Sequence, residues 1–334
     1  MSPRRSAVPP PVTAVLDAAS AWLPRQLGAV ETRLREQTGG HGDSLERDAK
    51  ATLLAGGKRL RPLLVLLCGG RGAGDAAVRA ATAVELVHMA SLVHDDVLDA
   101  APLRRGRPTV VAAAGREQAA ATGDLLFSRA FALLAEAGLN DQVDLLSGAS
   151  VALAEGELAQ RRDAYDTSIS PERYLRRCRL KTARLFECAC LMGWSAGAAE
   201  PERDDSGRPE LRAFGSEIGL AFQLLDDVLD VTGPPERTGK ARGTDLLDGT
   251  VTMPLIVAMR RDPGLRGADL RALAPAEAEL ICDRIAATGA LEEVRTQALE
   301  MVADAKRRLA DPAFEPEQRE LLDMVADGIV DRYG

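Results

Sequence analysis

Asp95-Asp96-Val97-Leu98-Asp99 and Asp226-Asp227-Val228-Leu229-Asp230 are one pentapeptide written twice in this chain. On a helix the first and fifth residues share a face, and the second lies about 100° round. Like charges four apart cost a helix about 0.2–0.5 kcal/mol. Both clusters also close apolar stretches, where the helix dipole disfavours acid. A solvated charge run would mix signs. A hard cation removes the conflict, because Mg²⁺ is commonly held by a few carboxylates together with phosphate oxygens of a substrate. One such cluster could be surface charge. Two, both ending apolar helices, point to a metal centre with Asp95, Asp96, Asp99, Asp226, Asp227 and Asp230 as candidate ligands.

The basic residues fit the anion such a centre would serve. Gly56-Gly57-Lys58-Arg59-Leu60-Arg61-Pro62 and Leu103-Arg104-Arg105-Gly106-Arg107-Pro108 crowd cations into short turns. Glycine lets the backbone approach an anion, and the guanidinium fork matches phosphate oxygens. Of the 42 basic residues only Lys50, Lys58, Lys181, Lys240 and Lys306 are lysine. Three of these fall in candidate motifs, at Lys58, Arg179-Leu180-Lys181-Thr182 and Thr238-Gly239-Lys240. A compact ammonium suits a point contact to phosphate. His88, two helical turns before Asp95 on roughly the same face, is placed to donate to a phosphate. His94 reads as a supporting group.

The elements that must carry these residues are helices. The chain has 334 residues, 46% hydrophobic but only 3% aromatic, so the core is built of Ala, Leu and Val. Helical periodicity predicts helices at 15–37, 45–54, 63–68, 75–99, 110–137, 142–162, 171–194 and 211–231, then four or five shorter ones to residue 331. The 75–99 helix is nearly uncharged and must be buried on most sides. Residues 102–108 read as a basic loop, 200–208 and 233–243 as polar loops, and no β pattern is found. Residues 1–12 read as a disordered lead, lacking the apolar core of a secretory signal. Residues 13–334 read as one all-α domain.

The net charge of −8 argues against nucleic acid as a partner. It also requires any anion site to be locally basic or to carry metal. No transmembrane helix is expected, since no stretch of 18 residues is apolar and free of charge. The five cysteines, odd in number and without a CxxC pair, read as reduced and buried, as in a cytoplasmic protein.

These motifs, in this order, resemble the trans-isoprenyl diphosphate synthase (polyprenyl synthetase) family. They are GGKRLRP at 56–62, ELVHMASLVHDDVLD at 85–99, RRGRP at 104–108, GD at 123–124, GELAQ at 156–160, KT at 181–182, FQLLDDVLD at 222–230 and GTDLLDG at 243–249. The resemblance is strong over residues 45–260 and weaker beyond. It implies an isoprenoid-synthase-type bundle of antiparallel helices around a deep central cavity, working as a homodimer. It implies the head-to-tail joining of isopentenyl diphosphate to an allylic diphosphate. Asp95 and Asp99, with Asp226 and Asp230, would hold three Mg²⁺ on the allylic diphosphate. Lys58, Arg61, His88 and Arg105 would bind isopentenyl diphosphate. Arg104, Lys181, Thr182, Gln223 and Lys240 would bind the allylic diphosphate, with Lys181 and Lys240 aiding its departure.

The chain departs from the family pattern at Val111, where His is frequent, and at Thr250, where Lys is common. Neither change removes a metal ligand. In the family, residues before the first Asp act as a floor under the growing product. Here Ala90, Ser91, Val87 and Val84 stand there, and the small Ala90 favours products beyond fifteen carbons, with Met89, Phe127 or Leu153 as the final floor. A class I terpene cyclase would need no second diphosphate site, which GGKRLRP and His88 supply. A non-catalytic subunit of a heteromeric synthase would be expected to lose an Asp cluster.

Overall fold

The computed structural model describes residues 10–197, 205–233 and 242–331, with side chains from residue 13. Lys240 and most of the 233–243 loop lie outside the described residues, as do residues 198–204 and the first nine of the expected lead. Helices dominate: α1 Pro10–Ala18, α2 Leu23–Gln37, α3 Asp43–Leu54, α4 Leu60–Gly69, α5 Gly74–Leu98, α6 Val110–Ala114, α7 Arg116–Ala135, α8 Asn140–Asp163, α9 Pro171–Cys178, α10 Arg184–Gly197, α11 Arg208–Thr232, α12 Thr244–Leu247, α13 Met253–Arg261, α14 Pro275–Ala287, α15 Ala290–Arg308 and α16 Pro316–Asp331. A single buried apolar cluster runs from Val15 to Ile329.

Four local features differ from the sequence reading. The helix expected over 15–37 breaks after Ala18 and restarts at Leu23, with Pro24 in its first turn, where a missing N–H costs nothing. The helix expected over 110–137 breaks at Gly115, whose φ of +87° lies outside the helical region. The basic loop contains a small antiparallel ladder, β1 Leu103–Arg104 with β2 Arg107–Pro108. Arg105 and Gly106 join the strands at φ 52° and 72°, the paired positive φ of a tight hairpin turn. Between α9 and α10, Arg179–Ala183 forms a π-helical turn.

Three helices set the frame. α5 packs against α2, α4, α7 and α10, which explains its lack of charge. α11 packs against α10 and α15. Both pentapeptide-bearing helices therefore rest on α10, and the π-turn at its start lies against α8 and α11. Among the described residues one helical stretch, Arg71–Leu98, is long and apolar enough to cross a membrane, and 72% of its apolar window is buried inside the protein.

Candidate active site

The ends of α5 and α11 meet in a cavity of about 270 Å³. Asp95 and Asp99 line it from α5, and Asp226 and Asp227 from α11. Asp245 and Asp248, on and just after α12, add two more carboxylates. The cations at its wall are Lys181, Arg104, Arg161 and Arg177, and its neutral polar lining includes Thr182, Gln223, Tyr174, Gln160, Thr250 and Thr252. Burial pushes the Asp95 carboxyl up to about 6, with Glu157 and Asp99 adding to the rise against the pull of Lys181. So many carboxylates facing one space repel one another unless a cation joins them.

A row of residues four apart builds the α11 side. Gly215 and Gly219 come first: a Cβ on Gly219 would stand 2.7 Å from the Ala183 Cα, and one on Gly215 2.8 Å from the Glu187 Cα. The bare backbone lets α11 lie close to α10. One turn on, Gln223 accepts from the Thr182 hydroxyl at 2.8 Å and donates to Asp227 at 2.9 Å. Tyr174 donates its hydroxyl to the other oxygen of Asp227. Asp227 is fully buried, and burial together with Asp245 pushes its carboxyl up to about 8 even though Tyr174 and Gln223 oppose the rise.

Lys181 and Thr182 sit in the π-turn. Such turns insert one residue into a helix and recur at functional sites. Gly156 of α8 makes room for this one, since a Cβ there would lie 2.5 Å from the Lys181 backbone nitrogen. Lys181 donates to Glu157 at 2.5 Å and stands 3.9 Å from Asp95. Asp245 and Asp248 are held by a latch. The Tyr165 N–H donates to the Gly249 carbonyl at 2.7 Å, and the Asp245 N–H donates to Asp230 at 3.3 Å.

A second cavity of about 390 Å³ adjoins the first, and Leu92 and Arg104 line both. Its polar wall holds Arg59, Glu85, His88, Asp96, Arg104, Arg105 and Arg107, and its apolar wall includes Met89, Val93 and Val110. Arg59 is tied to Glu31 at 2.6 Å and to the buried Glu85 at 2.8 Å. Burial holds the Arg61 guanidinium down at about 10; it lies 4.5 Å over the Phe186 ring, and its Nε has no hydrogen-bond partner. Burial, then Arg61, Arg105, Arg104 and Arg59, hold His88 well below the usual histidine value. His88 is thus neutral among four cations, a setting that favours an anion.

The structure brings Asp95, Asp99, Asp226, Asp227, Lys181, Thr182, Gln223 and Arg104 to the first cavity, and His88 and Arg105 to the second. Lys58 is exposed on the turn before α4. Asp96 and Asp230 do not line the acidic cavity. Asp96 faces the second one, where Arg104 grips its Oδ1 at 2.8 Å through Nε and Nη2. Asp230 supports the turn before α12. His94 stacks on Phe127 with ring centroids 5.6 Å apart, over Gly123 and 3.4 Å from Asp124, and lines neither cavity. None of the five cysteines is in a disulfide, and all are buried. Cys178 reaches the first cavity, but burial pushes its thiol up to about 12, far from a nucleophile.

Sequence reasoning quoted the motifs that hold Glu157, Asp245 and Asp248 but gave these residues no role, and it missed Arg161 and Tyr174. The acidic pair three apart between Gly243 and Gly249 was one available signal. The Glu157–Arg161 pair, four apart on α8, was another.

The donor set fits divalent metal. Among the described residues no three acidic, His or Cys side chains already converge on one point. The carboxylates instead line the cavity with cations between them. That suits hard ions held by one or two carboxylates each and completed by substrate oxygens.

Residues 43–279 match the family model of the polyprenyl synthetases. Component 2 of heptaprenyl diphosphate synthase from Geobacillus stearothermophilus is 42% identical over 247 residues, covering 73% of this chain and 76% of that one. A polyprenyl synthase from Caulobacter crescentus, solved with calcium and isoprenyl diphosphate, superposes with a TM-score of 0.88 at 34% identity, over 99% of this chain and 100% of that one. A decaprenyl diphosphate synthase from Rhodobacter capsulatus gives 0.85 at 33%, over 96% and 99%.

Proposed function

The chain belongs to the polyprenyl synthetase family and is a polyprenyl diphosphate synthase, a trans-prenyl transferase that makes longer-chain products; from that premise we propose how its two cavities divide the reaction. The family joins isopentenyl diphosphate to an allylic diphosphate with the help of a divalent metal. The allylic diphosphate belongs in the acidic cavity and isopentenyl diphosphate in the arginine-lined one. The observation that carries this is the shared wall: Leu92 and Arg104 face both spaces, so two diphosphates bound there have their carbon ends on adjoining sides.

Asp95, Asp99 and Asp226 face the acidic cavity and are read as the carboxylates that hold Mg²⁺, three ions by family resemblance. Asp227, and Asp230 behind it, brace that side. Metal bound here would neutralise the charge growing on the departing diphosphate. Lys181, Thr182, Gln223 and Arg104 grip the diphosphate oxygens, and each contact strengthens as negative charge develops. Lys240, beside this site in sequence, is assigned to the same task. Arg61, His88 and Arg105, with Lys58 from the exposed turn before α4, are assigned to hold isopentenyl diphosphate so that its double bond meets the allylic cation. The double bond is the nucleophile, and the proton is then lost to the departed diphosphate, so neither a protein nucleophile nor a protein base is required.

Product length is read as beyond fifteen carbons. Ala90 and Val87 on α5 are buried and small, and Phe127 on α7, a candidate floor, is fixed by its stack on His94. The calcium and isoprenyl diphosphate of the Caulobacter structure support the metal and substrate assignments. A homodimer is supported by α8, whose exposed side carries Gly148, Val151, Ala154 and Leu158, with Val151 58% and Leu158 57% exposed. Residues 13–334 are read as one domain. Buried cysteines without disulfides support a cytoplasmic location.

The Geobacillus relative is named as one component of an enzyme, which favours a second reading: this chain is the catalytic member of a two-part synthase. One experiment separates the readings. Purified chain is given Mg²⁺, labelled isopentenyl diphosphate and geranyl, farnesyl or geranylgeranyl diphosphate in turn, and product length is analysed. Products beyond fifteen carbons from the chain alone are expected. Products stopping at fifteen carbons would overturn the length assignment. Turnover without isopentenyl diphosphate would indicate a cyclase, and activity only with a second polypeptide the two-part enzyme.

A further inference from the structure

We propose that Glu157 is a positioning residue that keeps Lys181 and Arg161 available to the allylic diphosphate while metal ions occupy Asp95 and Asp99. This rests on assigning the acidic cavity to that diphosphate and its metals.

Five charges form a ladder along the α5–α8 side of the cavity. Asp95 stands 3.9 Å from Lys181, and Lys181 bonds Glu157 at 2.5 Å. Glu157 in turn accepts from Arg161 Nε at 2.9 Å, and Arg161 Nη2 reaches Asp99 at 2.5 Å. The outer rungs are the two metal-facing carboxylates of the first pentapeptide. Glu157 is the middle rung and does not line the cavity, while both cations do.

Each cation therefore has two carboxylate partners. One of them, Asp95 or Asp99, is wanted by metal. The other is Glu157 in both cases. When metal takes the outer carboxylates, Lys181 and Arg161 lose one partner each and face new positive charge. Glu157 keeps them seated beside the diphosphate. Burial would raise its carboxyl, but Lys181 and Arg161 together hold it below the ordinary value, so it stays charged. The close seating of Gly156 on Lys181 fixes the register that makes the ladder possible.

Removing the middle charge makes Lys181 and Arg161 compete with metal for Asp95 and Asp99. The test is Mn²⁺ binding in the presence of inorganic pyrophosphate, followed by electron paramagnetic resonance, for wild type and for Glu157→Gln, Asp95→Asn, Asp99→Asn and Glu155→Gln. Glu155 is exposed on the same helix and serves as the control. Glu157→Gln is expected to raise the Mn²⁺ midpoint about fivefold or more, the scale of an ordinary coupling between sites. Excess metal should restore most of its turnover, which it cannot do for Asp95→Asn. Should the glutamine variant not fold, Glu157→Asp carries the test: it keeps the charge but is one methylene too short to hold both cations, so its midpoint should also rise. A wild-type midpoint in the folded variant, whatever its melting temperature, would overturn the proposal. If Asp95→Asn and Asp99→Asn also bind Mn²⁺ normally, the fault lies in the assignment of the cavity itself.

Discussion

The two pentapeptides are identical in sequence and unequal in use. In the first, Asp95 and Asp99 face the acidic cavity, and Asp96 turns away to hold Arg104 in the neighbouring one. In the second, Asp226 faces the cavity, Asp227 is buried under Tyr174 and Gln223, and Asp230 supports the backbone N–H of Asp245. The difference comes from where each helix stops. α5 ends at Leu98, so Asp99 is already a C-cap residue, and the chain then turns at Ala100 with φ 49°. α11 continues to Thr232, so Asp230 stays on a helix face one turn beyond Asp226. Five shared letters therefore give two cavity-lining carboxylates in each case, at the first and fifth places in one and at the first and second in the other, where Asp227 is held in the wall and Asp230 supports the backbone behind it.

The largest expected effect tests what the clusters share. Asp95→Asn and Asp226→Asn should each lower kcat by about 100-fold or more at saturating substrate, the scale seen when one transition-state charge stabiliser is removed. Steady-state assays with labelled isopentenyl diphosphate read this directly. Next comes the close seating of α8: Gly156→Ala drives a methyl group to 2.5 Å from the Lys181 nitrogen and should cost about 1–3 kcal/mol of stability, with activity falling as Lys181 moves. Denaturant unfolding measures the first effect.

Tyr174→Phe probes the bracing specific to the second cluster. It leaves a buried carboxylate oxygen without its donor, at a cost of about 1–3 kcal/mol visible in thermal unfolding. The smallest effect concerns the helix of the first cluster. Folding holds His88 below its unfolded pKa of about 6.5, so the unfolded chain binds more protons there. That contribution is fully present above about pH 6.5 and fades as the pH falls below it. His88→Gln should flatten the fall of ligand-free stability with acid below that pH, as followed by melting temperature against pH.

The helices that carry the clusters were legible because α5 and α11 are long, strongly patterned and punctuated by charge. The breaks at 19–22 and Gly115 were not, because each interrupts an apolar period without changing it. The π-turn was equally silent: its extra residue is fixed by packing on Gly156 and Gly219, not by local propensity. Of the site, the residues that break composition were visible, namely the repeated Asp and the rare Lys. Tyr174 was not, and Asp245 and Glu157 were legible only as letters of quoted motifs, because ordinary residue types acquire a role only when distant helices bring them to one cavity. The second and fifth residues of each cluster show the same limit. Spacing states that they share a helix but not where the helix ends.

The fifth position of the two pentapeptides tests the inequality most directly. Asp99→Asn and Asp230→Asn are compared for kcat under saturating Mg²⁺ and both diphosphates. A loss of about 100-fold is expected for Asp99→Asn. For Asp230→Asn the expected loss is within about threefold, because the asparagine oxygen can still accept the Asp245 N–H. Equal losses at the two positions would contradict that inequality.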